Sequence, residues 1–238
     1  MRHIQLLILL ALTFPLASCD FVVGGIQGNG NVVVEERVFK EDIKVVKASN
    51  GLEVELTEGM TQAAVIEADE NLHDIIETEM RNGVLHIKTT KNIGRATSKK
   101  VTVIYTNLDG VEASSGSNVT GMSTVVSNDL YLKASSGANL EMNVLAKELT
   151  AQSSSGSDIK IKGQARNFGA RSSSGSSINA KELKALYVNA KASSGADITL
   201  NIEKSLEAKA SSGGDIKYYG EPTTVQKNNS SSGSVRKM

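Results

Sequence analysis

The stretch Ala151-Gln152-Ser153-Ser154-Ser155-Gly156-Ser157-Asp158-Ile159-Lys160-Ile161 carries the fold in miniature. Small or apolar side chains alternate with polar ones on both sides of Gly156: Ala151 and Ser153 before it, Ile159 and Ile161 after it. Period two is the signature of an extended strand with one buried face. The segment therefore predicts two strands meeting at a glycine corner. Working outward, the phrase Ser-Ser-Gly recurs with glycines at Gly116, Gly137, Gly156, Gly175, Gly195, Gly213 and Gly233, separated by 21, 19, 19, 20, 18 and 20 residues. A fixed period near 20 is a stack of similar units, each unable to bury its apolar face alone.

The alternation keeps its register through the repeats. Three places after the glycine stand Val119, Leu140, Ile159, Ile178, Ile198 and Ile216; three places before it stand Ala113, Ala134, Ser153, Ser172, Ala192 and Ala210. Further upstream, Leu130, Leu149, Phe168, Leu186 and Leu206 are expected to line the wall of the core. Units stacked at about 4.8 Å through parallel backbone hydrogen bonds would close continuous inner columns. The expectation is an all-β, single-domain, right-handed parallel β-helix or β-solenoid with rungs of about 20 residues. The paired serines are expected to form hydroxyl ladders along the corner, and Asn118, Asn139, Asp158, Ser177, Asp197 and Asp215 to cap the turn's own backbone. The final unit, Ser230 to Val235, is one residue short before its apolar position, as suits a stack that must end without a sticky edge.

Residues 31–112 lack the phrase but read mostly as strands, with Ala48-Ser49-Asn50-Gly51 as a worn copy of the corner. One short helix is expected, with Asp69 as N-cap, Leu72, Ile75, Ile76 and Met80 on one face, and Asn82-Gly83 as its stop. No linker divides the chain, so residues 31–238 read as one domain, with the repeats at 113–235.

The N-terminus is an address. Arg2 and His3 precede an apolar run ending near Leu12, followed by Leu16-Ala17-Ser18-Cys19. The run is shorter than the roughly 20 residues of a transmembrane helix and matches a secretory leader, residues 1–18. Leu16 to Cys19 resembles the lipobox of bacterial lipoproteins, and Cys19 is the only cysteine of the chain. Lipidation of Cys19 would anchor the protein to a membrane, since acyl chains contribute about 0.8 kcal/mol per buried CH₂. Residues 19–30, rich in glycine, read as a flexible tether. The expected location is the cell envelope, with the outer membrane preferred.

Composition bounds the function. With 26 basic and 26 acidic residues the net charge is zero, which argues against nucleic-acid binding driven by a basic stripe. A single cysteine excludes a disulfide framework and cysteine-based zinc clusters. No calcium repeat, hydrolase elbow, P-loop or dinucleotide fingerprint occurs, so no metal or cofactor is expected. His73 and His86 read as a helix and a strand position rather than catalytic groups. Glu35-Glu36, Glu67, Asp69-Glu70 and Glu77 to Glu79 are the acids from which a glycosidase-like pair would have to come. They read better as solvated edges.

The lipobox, a strand-rich head, the Asn71 to Met80 segment, seven Ser-Ser-Gly turns and the closing Gly233-Ser234 together resemble the family called putative autotransporter adhesin, head GIN domain. The resemblance covers about residues 31–235. It implies a β-helical fold, no agreed catalytic residues and a role in cell adhesion. The resulting expectation is a non-enzymatic, lipid-anchored adhesin or surface module binding a glycan or a protein, with self-association open. The alternatives are a carbohydrate-active β-helix enzyme, a lyase or hydrolase, and a purely structural envelope protein.

Overall fold

The computed structural model describes residues 24–230 and 232–238. The expected leader and Cys19 lie outside the described residues. Among the described residues, sixteen strands belong to one sheet wound into a β-solenoid, with one short helix. Five long strands make most of the stack: β9 (Asn118–Ala134), β10 (Asn139–Ser154), β11 (Asp158–Ser173), β12 (Ser177–Ser193) and β13 (Asp197–Ala210), each parallel to the next. Each runs nearly a whole rung, bent where the register shifts, as between Glu141 and Asn143, and broken at Ser-Ser-Gly.

The stack begins earlier in the chain than the phrase does. β2 (Val45–Ala48) and β3 (Glu53–Glu58) flank Asn50-Gly51 and form a complete rung. β2 pairs in parallel with β8 (Gly110–Ala113), and β3 with the start of β9. Below them lie β6 (Val84–Thr89) under β2 and β7 (Lys99–Tyr105) under β3. Residues 59–109 are thus an excursion that adds one rung and closes the end of the stack. Closure is made by strands that reverse direction: β4 (Ala63–Asp69) runs antiparallel to β7, β1 (Val32–Val38) to β4, and β5 (Ile76–Arg81) to β6.

Inside, Val101, Val54, Val119, Leu140, Ile159, Ile178, Ile198, Ile216 and Val235 form one column, all buried. The opposite wall carries Leu130, Leu149, Phe168, Val188 and Leu206. Val188, in register with Phe168 and Leu206, takes the place expected for Leu186. The far end is made by β14 (Asp215–Tyr219), β15 (Thr224–Asn229) and β16 (Ser234–Lys237). There Lys227 sits in register with buried Ala208, so a charged residue replaces an apolar one in the last turn of that column.

The helix is shorter than its apolar spacing predicts. A 3₁₀ segment covers Glu70–Ile75, and Ile76 to Arg81 is strand β5. Asn82 and Gly83, at φ 51° and 75°, make the two-residue turn of a β5–β6 hairpin instead of stopping a helix. Asn-Gly flanked by alternating side chains is a hairpin signal, because both residues accept positive φ. Asp69 makes no side-chain cap. It is fully buried and accepts hydrogen bonds from the N–H groups of Gly30, Thr97 and Ser98 at 2.9–3.0 Å.

That carboxylate pins the end of the segment expected as a tether. Ile26 N–H donates to Asn92 at 2.8 Å, Gly28 N–H to Arg95 at 2.8 Å, and Asn29 N–H to Asn71 Oδ1 at 2.9 Å. A Cβ on Gly28 would stand 2.0 Å from Asp69 Oδ2, so only glycine allows this approach. Residues 26–30 are therefore stitched to the closed end.

Candidate functional site

Each corner is a Ser-Ser-Gly-x turn in which the second serine and the glycine both have positive φ. Ser115, Ser136, Ser155, Ser174, Ser194 and Ser212 lie at 49–57°, and Gly116, Gly137, Gly156, Gly175, Gly195 and Gly213 at 66–76°. That is the type I′ pattern. Gly233 is the exception. Asp215 pairs with Ser234, which sets Ser232 opposite Gly213 and moves Gly233 one place on, level with Gly214. The missing residue before Val235 is absorbed by this shift.

The seam is held by main chain rather than by hydroxyls. Glycine N–H groups donate to serine carbonyls of the next rung from Gly51 to Ser115 through Gly213 to Ser232, at 2.9–3.1 Å in all seven steps. Serine hydroxyls bond within the corner where serine points inward, as Ser153 with Ser157 and Ser172 with Ser176, and reach the next rung only in places, as Ser117 to the Ala48 carbonyl at 3.1 Å. The expected hydroxyl ladder is thus replaced by a backbone one, since the turn already aims an N–H along the stack.

The residue four places before each glycine points outward, because the one three places before it is packed inside. Stacking brings His86, Lys47, Glu112, Lys133, Gln152, Arg171, Lys191, Lys209 and Asn228 into one outward column. Lys47 pairs with Glu112 at 3.0 Å. Among the described residues, Lys133, Arg171, Lys191 and Lys209 are exposed and have no carboxylate within 4.0 Å. Arg171, Lys191 and Lys209 occupy successive rungs, an arrangement of like charges that costs stability. Beside them a shallow groove of about 300 Å³ runs between Lys133, Gln152, Arg171 and Lys191 and the corner serines Ser154, Ser173 and Ser193.

Across the corner the lysines Lys160, Lys162 and Lys217 have carboxylate partners. Asn139 donates to Asn118 at 2.8 Å and Ser177 to Asp158, while Lys217 bridges Asp197 and Asp215 at 3.7 and 3.4 Å. The asparagines and aspartates expected to cap their own turns bond along the stack instead. Glu141 pairs with Lys160 and Lys162 at 3.0 and 3.1 Å, and these two lysines hold its carboxyl below the ordinary value of 4.5.

A second depression, at the closed end, gathers Glu35, Arg37, His73, Thr78, Glu79 and Arg81. Its groups are tied together. Arg37 donates to Glu35 at 2.7 Å and to the Ile76 carbonyl at 2.8 Å, and Arg81 pairs with Glu79 at 2.6 Å. His73 sits in the 3₁₀ segment with Nδ1 3.1 Å from Glu35 and Nε2 3.2 Å from the carbonyls of Val33 and Ala68. Of the other acids, Glu77 pairs with Lys88 at 3.3 Å and Glu67 with Lys100 at 3.5 Å. The displaced carboxyls Glu35, Asp69, Glu79 and Glu141 all move down, each held by donors, whereas a glycosidase acid must be pushed up. Among the described residues, no three of His, Cys, Asp and Glu converge as metal ligands would.

Sequence reasoning missed the outward column. A zero net charge hides it, because acids elsewhere cancel its lysines. The signal was present as Lys-Ala-Ser-Ser-Gly at 133–137, 191–195 and 209–213 and Arg-Ser-Ser-Ser-Gly at 171–175.

A family model described as "Putative auto-transporter adhesin, head GIN domain" matches residues 42–222. The chain belongs to this family. Its head GIN fold is similar to that of a crystal structure described as a putative adhesin from Bacteroides fragilis, with TM-score 0.83 and 21% identity over 90% of this chain and 100% of that one. It also resembles a putative adhesin from Parabacteroides distasonis, with TM-score 0.73 and 20% identity over 90% and 99% of the two chains. A protein from the same organism described as a putative lipid binding protein matches with TM-score 0.69 and 20% identity over 90% and 99%. No curated protein matches the chain.

Proposed function

We propose that this head GIN protein is a non-enzymatic binding module of the cell envelope, anchored by lipid at Cys19 and acting in adhesion. The observation that carries the reading is the outward column, where Lys133, Arg171, Lys191 and Lys209 are exposed and unpaired beside a groove with no nucleophile–base pair. Catalysis needs groups of opposed character brought together. Here Glu35, His73 and Glu79 are engaged by partners within the closed end. The adhesin descriptions of the family and of the Bacteroides and Parabacteroides structures support the same direction.

The test is protease treatment of intact cells carrying the native protein, beside a periplasmic control. Cleavage while the control survives is the expected result. Protection until the outer membrane is breached overturns adhesion. The anchor is tested separately: Cys19→Ser is expected to release the protein from the membrane fraction, and retention there would refute lipidation.

A further inference from the structure

We propose that the column Lys133–Gln152–Arg171–Lys191–Lys209 is a track for an extended anionic polysaccharide lying along the stack, its carboxylate or sulfate groups paired with the four cations. The inference deepens the binding reading above and rests on it. Three observations carry it. The first is electrostatic: Lys133, Arg171, Lys191 and Lys209 stand without a carboxylate partner within 4.0 Å, while on the other wall Lys160 and Lys162 share Glu141 and Lys217 reaches Asp215. The missing anion would come from outside.

The second is the inventory of the groove. Ser154, Ser173 and Ser193 line it half-buried, and their hydroxyls have no hydrogen-bond partner among the described residues. Gln152 contributes a free amide at the rung without a cation. Hydroxyls and an amide interleaved with cations suit a sugar chain, which offers both anions and hydroxyls. A single-stranded nucleic acid calls for aromatic platforms, and none lines this groove.

The third is geometry. Strands stacked at about 4.8 Å put one binding position on each rung, and Lys133 to Lys209 spans roughly 19 Å. A lone headgroup would use one position; a polymer uses them all. Along the stack the track is bounded by Glu112, already held by Lys47, and by uncharged Asn228, while Glu207 in the neighbouring column accepts from Asn189 at 2.8 Å.

The mature protein in detergent would be titrated with fluorescent polygalacturonate, dextran sulfate, neutral dextran, a single-stranded DNA and phosphatidylglycerol vesicles. The expected result is salt-sensitive binding of polygalacturonate or dextran sulfate and none of neutral dextran; the two polyanions separate a carboxylate from a sulfate preference. Arg171→Gln with Lys191→Gln should weaken binding about tenfold or more. Lys160→Gln with Lys162→Gln, which removes the same charge from the other wall, should leave it unchanged. All four side chains are on the surface, and a thermal melt verifies that each variant folds. Equal weakening by both pairs, no binding of either glycan, or DNA or vesicles bound as tightly as the better glycan would overturn the proposal. Because purified protein is used, the outcome is independent of whether the protein faces outward on cells.

Discussion

At Ser174 the chain accepts a conformation most residues avoid, φ 57°, next to Gly175 at 66°. Left-handed backbone costs an ordinary L-residue roughly 1–2 kcal/mol, and asparagine tolerates it best after glycine. Asn50 already occupies the equivalent place in the first corner, at φ 61°. Ser174→Asn should therefore raise the urea midpoint or leave it unchanged, while Gly175→Val should lower stability by about 1–2 kcal/mol. A midpoint unmoved by the valine would mean that the corner is not a type I′ turn. Asp69 shows the opposite kind of residue. The Ser98 N–H, against burial and ahead of those of Gly30 and Thr97, holds its carboxyl below the ordinary 3.8. A depressed carboxylate adds stability above its unfolded value, lost as pH falls through the folded one. Hydrogen exchange at Gly30, Thr97 and Ser98 should accelerate together as pH falls below 3.8, relative to the intrinsic rate, and Asp69→Asn should abolish that acid response. The glycine corners were legible because they repeat. Asp69 was not, because its partners are backbone groups 39, 28 and 29 residues away with no side-chain signature.

Elements were read well where one periodicity ruled and poorly where two competed. Leu72, Ile75, Ile76 and Met80 fit a helical face, yet Ile76 to Arg81 also alternates, and pairing with β6 decides for strand. Leu186 and Val188 present a similar ambiguity, since the β12–β13 register shifts twice between Ala180 and Tyr187. The last strands illustrate how a solenoid stops. Lys227 stands in the Ala208 column with its ammonium 5.2 Å from the Tyr218 ring centre and 3.2 Å from the Val235 carbonyl. An inward charge on a terminal strand discourages another sheet from docking there. Lys227→Leu should promote end-to-end self-association, read as a concentration-dependent rise in sedimentation coefficient. A variant that stays monodisperse would show that the end is protected by something else.

For the whole molecule, the stack behaves as a sum of similar layers. Removal of residues 157–175 takes out one 19-residue period and joins Gly156 to Ser176, so that Asn139, Leu140 and Leu149 face Ser177, Ile178 and Val188. Since stability in such stacks is nearly additive by repeat, the shortened protein should fold and unfold cooperatively. Its urea m-value should be lower by about a tenth, in proportion to the surface lost. Failure to fold would mean the rungs are not interchangeable. A nine-residue deletion, by contrast, would turn core side chains outward. Architecture was thus legible over 113–235, where neighbours in space are one period apart. It was faint over 31–112, where the rung at 45–58 stacks on residues 110–121 across the excursion. That excursion also sets the molecule's bearing. Residues 26–30 bond to the closed end, so a chain acylated at Cys19 would stand on that end with its C-terminal rung outermost. Lys133 then lies three strand spacings above β6 and Lys209 seven, about 14 and 34 Å. Both exceed the Debye length of about 8 Å at physiological ionic strength. The anionic headgroups of the protein's own membrane would be screened from the column, leaving its field to act on what arrives from the other side.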